Sequence, residues 1–400
     1  MNASLLPSSV TRQRGLTLIE LLVAMTIGLV VTLAVTSIVT VGEAHKRTTT
    51  SNNDMGQSGA FAAYSLDRTL RSAGSGFAQA WNLGVFGCKL GASRVISGAA
   101  TTILPRTAAF PAPFAGFLGS AFGDLRMAPL LIGKSQSASG SDVLMVMSGN
   151  AAAGDVPRRV LSPGGVLAAS SLRVDNTVGL KNGDLGLLSQ EGATDCVIEQ
   201  VNVTDATAFA ASGNEELPLG STYYAATTGY TAMRASGTAY YSPLGNVAAN
   251  NVQLQLIGVG DNRTLFSYDL LRSADPGTDA AAMQALADGV AGLHALYGVD
   301  TDNNGTADTW VDPGATGYTI ATLMATPATT RKILAVRVAL VMRSSEYSKD
   351  LVSPTTLTLF GNLATALQRT VTLSTDDQHY RYRVVDTTIP LRNMLLLPTS

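Results

Sequence analysis

The first forty residues carry the longest hydrophobic pattern in the chain. From Leu21 to Val41 no residue is charged, a run of 21 residues. As a helix this run is about 32 Å long, which matches the hydrocarbon thickness of a bilayer. A cleaved secretory signal has a shorter apolar core and an A-x-A-like site, to which Gly42-Glu43-Ala44 is a poor match. The pattern predicts one retained membrane-spanning helix, and no second run of that length follows.

A second helical pattern follows in residues 58–77. Ala63, Leu66 and Leu70 recur at i, i+3 and i+7, which predicts a helix with one buried face that ends at a pair of glycines. The intervening stretch 48–57, TTTSNNDMGQ, is rich in poor helix formers. A break or a melted turn is therefore predicted between the two helical parts.

The rest of the chain consists mainly of short apolar runs between turn signals. Runs of this length, with alternating polar and apolar positions, predict β-strands. They occupy residues 142–148, 183–189, 251–259, 263–271, 332–344 and 379–393. The segments outside the N-terminal helix therefore indicate an antiparallel β head.

One more helix is predicted between two of these strands. Its apolar residues recur at helical spacing and are Met283, Leu286, Val290, Leu293 and Tyr297. Thr278 or Asp279 is the predicted N-cap, and Gly298 is the predicted C-cap. The expected fold class is α+β: a long N-terminal helix, half transmembrane and half amphipathic, packed on a large antiparallel β head with at least one extra helix.

Composition and charge argue against several kinds of function. Charged residues make up 14% of the 400-residue chain, the formal net charge is −2, and no block of Lys and Arg concentrates positive charge. Nucleic-acid binding is therefore not expected as the main role. The chain has no G-x-S-x-G, H-E-x-x-H or P-loop motif, and its histidines, His45, His294 and His379, are scattered. We therefore expect no catalytic site, and we expect His294 at a surface or rim position of its predicted helix.

Four arginines lie on the last two predicted strands. They are Arg337, Arg343, Arg381 and Arg383. We expect them to form a solvated sheet face or to act as salt-bridge partners. The alternative is a basic stripe that binds a partner.

The two cysteines, Cys88 and Cys196, are too far apart for a C-x-x-C metal or redox motif. In an oxidising compartment they could close one loop of about 110 residues, which stabilises a fold by about 4 kcal/mol in the chain-entropy model. In a reducing compartment they would be two separate buried thiols. The compartment therefore decides between these possibilities.

The segment DTDNNGTAD places oxygen-bearing side chains at alternate positions. Asp300, Asp302, Asn304 and Asp308 occupy positions 1, 3, 5 and 9 of an EF-hand-type calcium loop, with Gly305 at position 6 and the Thr306 carbonyl at position 7. Val311 replaces the glutamate of position 12, and Asp312 follows one residue late. The pattern predicts a weak calcium site. The alternative is a hairpin in which Asn304-Gly305 forms a type I′ turn.

A glycine and a glutamate stand at the start of the apolar run. A short basic leader ends in Gly15, and LTLIELLVAMTIGLVV follows with Glu20 as the fifth residue after that glycine. This arrangement resembles the class III signal of type IV pilins and pseudopilins. The resemblance implies that a prepilin peptidase cuts after Gly15 and methylates the amino terminus of Leu16, where the family usually has Phe. It also implies that Glu20 pairs with the charged amino terminus of a neighbouring subunit. The alternative is that a carboxylate is simply tolerated near the helix N-terminus.

Three later segments carry a second resemblance. LADGVAGLHALYGVDTDNNGTADTWV, ILAVRVALVMRS and TTIPLRN resemble the PilW family of minor type IV pilins. Family-like stretches run from 12 to 77 and from 284 to 393, whereas 90–280 has no matching motif. The resemblance implies a cleaved leader (1–15), a transmembrane or filament-core helix (16–41), an amphipathic second half (42–80) and a periplasmic or extracellular head (81–400).

The function implied is that of a minor pilin, a non-enzymatic structural subunit that helps to initiate assembly of a type IV pilus and sits at its tip. The implied partners are other minor pilins, the major pilin, the prepilin peptidase and the inner membrane, and calcium is the only cofactor considered. In a periplasmic head Cys88 and Cys196 are expected to pair. The alternatives are a type II secretion pseudopilin, a tip adhesin or surface sensor that uses residues 90–280, and a plain membrane-anchored periplasmic domain.

Overall fold

The computed structural model describes residues 15–96, 98–162, 167–203, 216–224, 227–272 and 282–397. The chain forms two compact units, residues 1–53 and residues 54–400. The first contains an apolar helical segment, and the second contains the sheets of the head. Residues 1–14 of the predicted leader lie outside the described residues.

One uninterrupted helix, α1 (Leu18–Arg71), runs through 54 residues. The break predicted at 48–57 is therefore wrong. Poor helix formers cost about 0.5 kcal/mol each, whereas ending a helix and starting another requires a second unfavourable nucleation step. In the first unit, threonine hydroxyls donate to carbonyl oxygens one turn earlier, as Thr32 does to Gly28 at 2.9 Å. These hydroxyls are thus satisfied within the helix itself.

Within the second unit, α1 buries one stripe of small and branched side chains. The stripe consists of Ala62, Leu66 and Leu70, and buried Ala73 continues it just after the helix ends. It begins at Ala62 rather than at the predicted Ala63, which is half-buried. Phe61 and Tyr64 remain exposed. Gly59 allows α1 to pack closely against Met342, since a Cβ at position 59 would lie 3.2 Å from Cγ of Met342.

The described strands follow one another along the head and are joined by loops of different lengths. In chain order they are β1 (Lys89–Ile96), β2 (Ala99–Leu104), β3 (Leu130–Gly133), β4 (Val143–Ser148), β5 (Arg158–Leu161), β6 (Ser171–Val174), β7 (Asp184–Gln190), β8 (Asp195–Gln200), β9 (Glu216–Pro218), β10 (Ala239–Asn246), β11 (Gln253–Val259), β12 (Thr264–Asp269), β13 (Met283–Asp288), β14 (Val290–Val299), β15 (Thr309–Val311), β16 (Ile333–Arg343), β17 (Thr356–Leu359), β18 (Arg369–Thr372) and β19 (Tyr382–Pro390). All six strand predictions are confirmed, by β4, β7, β11, β12, β16 and β19.

These strands form three sheets and a hairpin. The sheet orders are β2-β1-β8-β7-β10-β5-β6-β9, β13-β12-β11-β4-β3 and β15-β14-β16-β19, and β17 pairs with β18. Apart from the parallel pair β1 and β8, the described strand pairs are antiparallel. The architecture confirms the predicted α+β class.

The predicted helix 283–297 is wrong. This segment forms β13 and β14, which are separated by Gly289 in the left-handed conformation at φ 77°. β14 pairs with β16 along its length, and most of its residues are buried. A strand covered on both faces has a nearly continuous apolar pattern, which also satisfies helical spacing. Gly298 lies inside β14 and is not a C-cap, and Thr278 and Asp279 lie outside the described residues.

The extra helices lie elsewhere. They are α2 (Thr228–Ser236), α3 (Ile320–Ala325), α4 (Pro327–Thr330) and α5 (Arg392–Leu395). α2 has the capping residues of a short stable helix: Thr227 Oγ1 accepts the backbone N–H of Tyr230 at 3.2 Å, and Gly237 ends the helix at φ 69°. Helix α2 was not predicted from the sequence.

Three hydrophobic clusters hold the head together. The largest joins the second half of α1 to the five-stranded and four-stranded sheets. A second lies between α2 and the eight-stranded sheet. The third is small and lies where the hairpin β17–β18 covers the outer face of the four-stranded sheet; its buried members are Leu296, Ala339, Val341, Leu359 and Phe360. The four-stranded sheet is therefore covered on both faces.

Candidate functional site

The amino-terminal signal lies immediately before α1. Gly15 and Leu16 are both exposed. The backbone N–H of Glu20 donates to Thr17 Oγ1 at 3.3 Å, so that Glu20 lies in the capped first turn of the helix. The macrodipole stabilises a carboxylate at this position. The bond between Gly15 and Leu16 is thus accessible, and the carboxylate is carried at the start of the apolar segment.

The apolar segment of α1 stays uncovered. Every large apolar side chain between Leu18 and Val41 is more than half exposed. The helix is long and apolar enough to cross a membrane. A continuous apolar surface of this size is typical of a segment that is buried in lipid or against other proteins.

A disulfide joins Cys88 to Cys196, with their Cα atoms 5.6 Å apart. Cys88 directly precedes β1, and Cys196 lies in β8, which is the parallel neighbour of β1. Both cysteines are buried. The bond ties the segment that follows the long helix to the eight-stranded sheet, as expected for an exported chain.

The acidic loop lies between β14 and β15. One carboxylate oxygen from each of Asp300, Asp302 and Asp308 lies within 4.8 Å of the others. Both oxygens of Asp300 accept backbone N–H groups, from Asn304 at 3.1 Å and from Gly305 at 2.8 Å. The loop therefore brings together three of the predicted calcium ligands.

The local conformation of this loop differs from a type I′ turn. The positive φ angles are at Asn303 (60°) and Gly305 (84°), so the alternative at Asn304-Gly305 is wrong in that form. The backbone N–H of Thr301, together with its hydroxyl, holds the pKa of Asp308 below its usual value. Ionised carboxylates and amide oxygens at this spacing fit calcium, whose oxygen ligands lie about 2.3–2.6 Å from the ion.

Arg337, Arg343 and Arg383 do not form one stripe. Arg337 donates to Asp386 at 2.6 Å, and Arg343 donates to Asp377 at 3.1 Å. These two are salt-bridge partners, as predicted. Arg383 lies on the opposite face of β19, since a Cβ at Gly56 of α1 would be 3.6 Å from its guanidinium. The arrangement does not support the partner-binding stripe.

His294 lies in β14, so its predicted place on a helix surface is wrong. Its Nδ1 is 3.5 Å from a guanidinium nitrogen of Arg369. Burial lowers the pKa of His294. His379 lies elsewhere and stacks on Tyr347 at a ring separation of 4.8 Å. Neither histidine stands in a nucleophile–base arrangement.

Two family models match the chain. Residues 259–393 match the model described as Type IV Pilus-assembly protein W, and residues 10–39 match the prokaryotic N-terminal methylation motif. Over these two stretches the chain is similar to type IV pilin-like proteins of the PilW family. Searches of curated proteins and of solved structures find no match.

The two matches fall on different parts of the chain. The methylation motif covers Gly15, Glu20 and more than half of the exposed apolar segment. The PilW match covers β12 to β19, and therefore the acidic loop and the four-stranded sheet. Neither match extends over 40–258, which includes the eight-stranded sheet. The methylation motif and the apolar part of α1 together fit a membrane-anchored pilin.

Proposed function

We propose that this protein is a minor pilin, a non-enzymatic structural subunit that helps to start assembly of a type IV pilus and sits at its tip. The observation that carries the proposal is that an accessible prepilin signal and an uncovered apolar helix occur in one chain with a large head, of which residues 259–393 match the PilW model. Processing would remove residues 1–15. Residues 16–41 would then lie in the inner membrane before assembly and in the filament core afterwards.

Glu20 supports the assembly role. Its carboxylate lies in the first turn of the helix, five residues after Gly15, so cleavage would create a charged amino terminus one turn away. In lipid, an ionised carboxylate and a charged amino group each lack a partner of opposite charge, and each is therefore unfavourable. Pairing Glu20 with the amino terminus of a neighbouring subunit removes both costs, which favours docking of the subunit onto a filament.

The size of the head supports a place at the tip. A compact unit of about 350 residues has a radius of gyration of about 20 Å, against about 13 Å for 100 residues. Such a head would crowd its lateral neighbours in a closely packed shaft, whereas the tip has no subunits beyond it. The disulfide supports a periplasmic head that becomes extracellular in the pilus.

The adhesin alternative finds little support in residues 90–280. All aromatic side chains of this region that lie among the described residues are buried or half-buried. A type II secretion pseudopilin shares the same signal and anchor. The PilW match favours the pilus over the secretion system.

The test is complementation of a strain that lacks this chain. The full chain should restore piliation, counted by electron microscopy, and Glu20→Leu should not. Glu43→Leu is the matched control, because Glu43 is also an exposed glutamate of α1. Antibody against the head should label one end of each pilus. If the deletion strain has normal pili but no longer secretes protein, the chain is a type II secretion pseudopilin and not a minor pilin. Antibody label along the shaft of the pilus would exclude a position at the tip.

A further inference from the structure

A cleft of about 720 Å³ lies beside the hairpin β17–β18, over the outer face of the four-stranded sheet. Its walls come from the hairpin strand β18, from the loop between β3 and β4, and from the turn between β11 and β12. Ligand sites typically have volumes of about 300–1,000 Å³. The cleft is therefore large enough for a short ligand.

The residues that line the cleft show where it lies relative to the hairpin. Every residue in 368–373 lines it, whereas none of the β17 residues, all of which the structure describes, does so. Side chains alternate between the two faces of a strand. Accordingly, Arg369 and Val371 are partly buried, and Thr370 and Thr372 on the other face are exposed. What consecutive residues of a strand share is a backbone edge, so the cleft lies along the edge of β18 that faces away from β17.

The hydrogen bonds of the hairpin decide which backbone groups lie on this edge. The N–H of Leu373 donates to the carbonyl oxygen of Thr355 across the hairpin at 2.8 Å. In an antiparallel ladder, bonded and non-bonded pairs alternate, so the next residue of β18 that bonds to β17 is Val371. The N–H and C=O groups of Thr370 and Thr372 therefore point away from β17 and into the cleft.

These four backbone groups are open. Among the residues that the structure describes, no hydrogen bond reaches the N–H or C=O group of Thr370 or Thr372. Donors and acceptors that recur at every second residue, about 7 Å apart, are what one β-strand presents to the next. An open edge of this kind is a template for pairing with another chain. Since a neighbouring strand lies about 4.8 Å away, it fits between β18 and the facing loops.

The floor of the cleft determines which side chains an added strand can carry. Gly292 of β14 and Val341 of β16 are paired neighbours, and both line the cleft. Val371 packs on the same face of the sheet as Val341. A residue placed directly opposite Val371 on an added strand faces this floor too. Because Gly292 has no side chain, the floor leaves room for one small apolar side chain.

The charged groups around the cleft do not select an ion. Cationic and anionic side chains are equal in number among the lining residues. Arg369 donates to Asp142 at 2.9 Å and to Asp312 at 3.3 Å, and is thus already paired. The turn between β11 and β12 contributes Asp261 and Arg263, whose charges are opposite. An excess of one sign would favour a ligand of the other sign, so this balance favours an uncharged segment.

We propose that the free edge of β18 binds an extended, uncharged peptide segment of a partner protein, which adds to the hairpin as a third strand. The segment pairs with Thr370 and Thr372 through main-chain hydrogen bonds and places a small apolar side chain over Gly292. In strand addition the main chain provides affinity and alternate side chains provide specificity. The site is part of the head and does not depend on the position of the protein in a pilus.

The probe is the peptide acetyl-Ser-Thr-Val-Thr-Ser-amide, titrated into the full chain in lipid nanodiscs by calorimetry. Its threonines are placed to pair with Thr370 and Thr372, and its valine to face the floor. N-methylation of both threonines removes the N–H groups that point to β18 and should weaken binding about thirtyfold, since two hydrogen bonds are lost. N-methylation of the valine and the last serine is the matched control. Those N–H groups point away from β18, so binding should be unchanged.

Two proline variants locate the site on the chain. Thr370→Pro removes an N–H that the hairpin does not use, and proline is tolerated at such edge positions. It should weaken peptide binding about fivefold, because one hydrogen bond is lost. Thr358→Pro is the control and should bind as the unchanged chain does. Thr358 pairs with Thr370 across the hairpin and is also exposed, but its N–H points to the opposite edge.

Hydrogen–deuterium exchange reads the backbone directly. Bound peptide should slow exchange in the fragment that contains 368–373 more than in the fragment that contains β17. Thermal midpoints show whether each proline variant is folded, and if Thr370→Pro is unfolded, the two N-methylated peptides decide on the unchanged chain. No binding of the unmodified peptide, equal affinities of the two N-methylated peptides, or equal losses in two folded proline variants would overturn the proposal.

Discussion

The two parts of α1 differ in what covers them, although they form one continuous helix. Between Leu18 and Val41 every large apolar side chain is more than half exposed, whereas Leu66 and Leu70 are at most 1% exposed. The backbone is the same, so the difference comes from the side-chain pattern. The first part is apolar all round, and the second is apolar on one stripe. The first therefore needs an apolar environment from outside the chain, and the head supplies it for the second.

Removing the disulfide should have the largest effect on the stability of the head, which covers the second part of α1. Changing both Cys88 and Cys196 to Ala should lower the free energy of unfolding of the head by about 4 kcal/mol, because the bond closes a loop between residues 108 apart. Chemical unfolding followed by tyrosine fluorescence measures this. Membrane retention should not change. An unaltered unfolding midpoint would show that the disulfide contributes little to the stability of the head.

A matched pair of leucines should separate the two parts directly. Leu66→Ala leaves a cavity in the core and should destabilise the head by about 3 kcal/mol. Leu33→Ala removes the same atoms from a side chain that is 68% exposed, and should leave head stability within error. Thermal unfolding of both variants in nanodiscs is the measurement. Similar losses in the two variants would contradict the assignment of covered and uncovered parts.

The strands and the prepilin signal could be predicted because the residue patterns that define them lie within short stretches of the sequence. In β16 nearly every residue from Ile333 to Arg343 is apolar and buried, so its length and flanking turns were enough. Gly15 and Glu20 were recognisable by their spacing before an uncharged run. In both cases neighbours along the chain carry the whole signal.

The errors occurred where local patterns are ambiguous. The segment 283–297 satisfies helical spacing, but pairing of β14 with β16 outweighs it, and that pairing depends on residues about 40 positions later. The stretch 48–57 has weak helix formers, but the helix continues through it because helix formation is cooperative and a new helix would need a second nucleation step. Helix α2 was missed although Thr227 and Gly237 are recognisable caps. The ion pair between Arg369 and buried Asp142 could not be predicted, because the two residues are 227 positions apart in the chain.

Calcium binding is the prediction for the acidic loop between β14 and β15. We expect bound calcium to stabilise the head by about 2.7 kcal/mol at a hundredfold excess over its dissociation constant, since it relieves repulsion among Asp300, Asp302 and Asp308. Magnesium should have less effect, because it requires a stricter geometry. The measurement is the thermal midpoint with calcium, magnesium or chelator. The shift should vanish in Asp302→Ala and persist in Asp350→Ala, and equal midpoints with calcium and chelator would exclude the site.

Two matched glycine substitutions should give a smaller difference in head stability. Gly59→Val forces a side chain against Met342 and should cost about 2 kcal/mol of head stability through overpacking. Gly28 has no atom within 4 Å of its added Cβ, so Gly28→Val should leave the head unchanged. Chemical unfolding of the two variants tests the close approach of helix and sheet. A destabilised Gly28→Val or an unaffected Gly59→Val would place the contact elsewhere.

The amino terminus of the chain isolated from membranes decides whether this protein is a processed pilin. Intact mass spectrometry, with and without an active prepilin peptidase, reads that terminus. With the peptidase we expect a chain that begins at Leu16 and carries one added methyl group. Gly15→Val should leave the full-length precursor, and Gly28→Val should be processed normally. An unmodified chain that still begins at Met1 in the presence of active peptidase would contradict the pilin assignment.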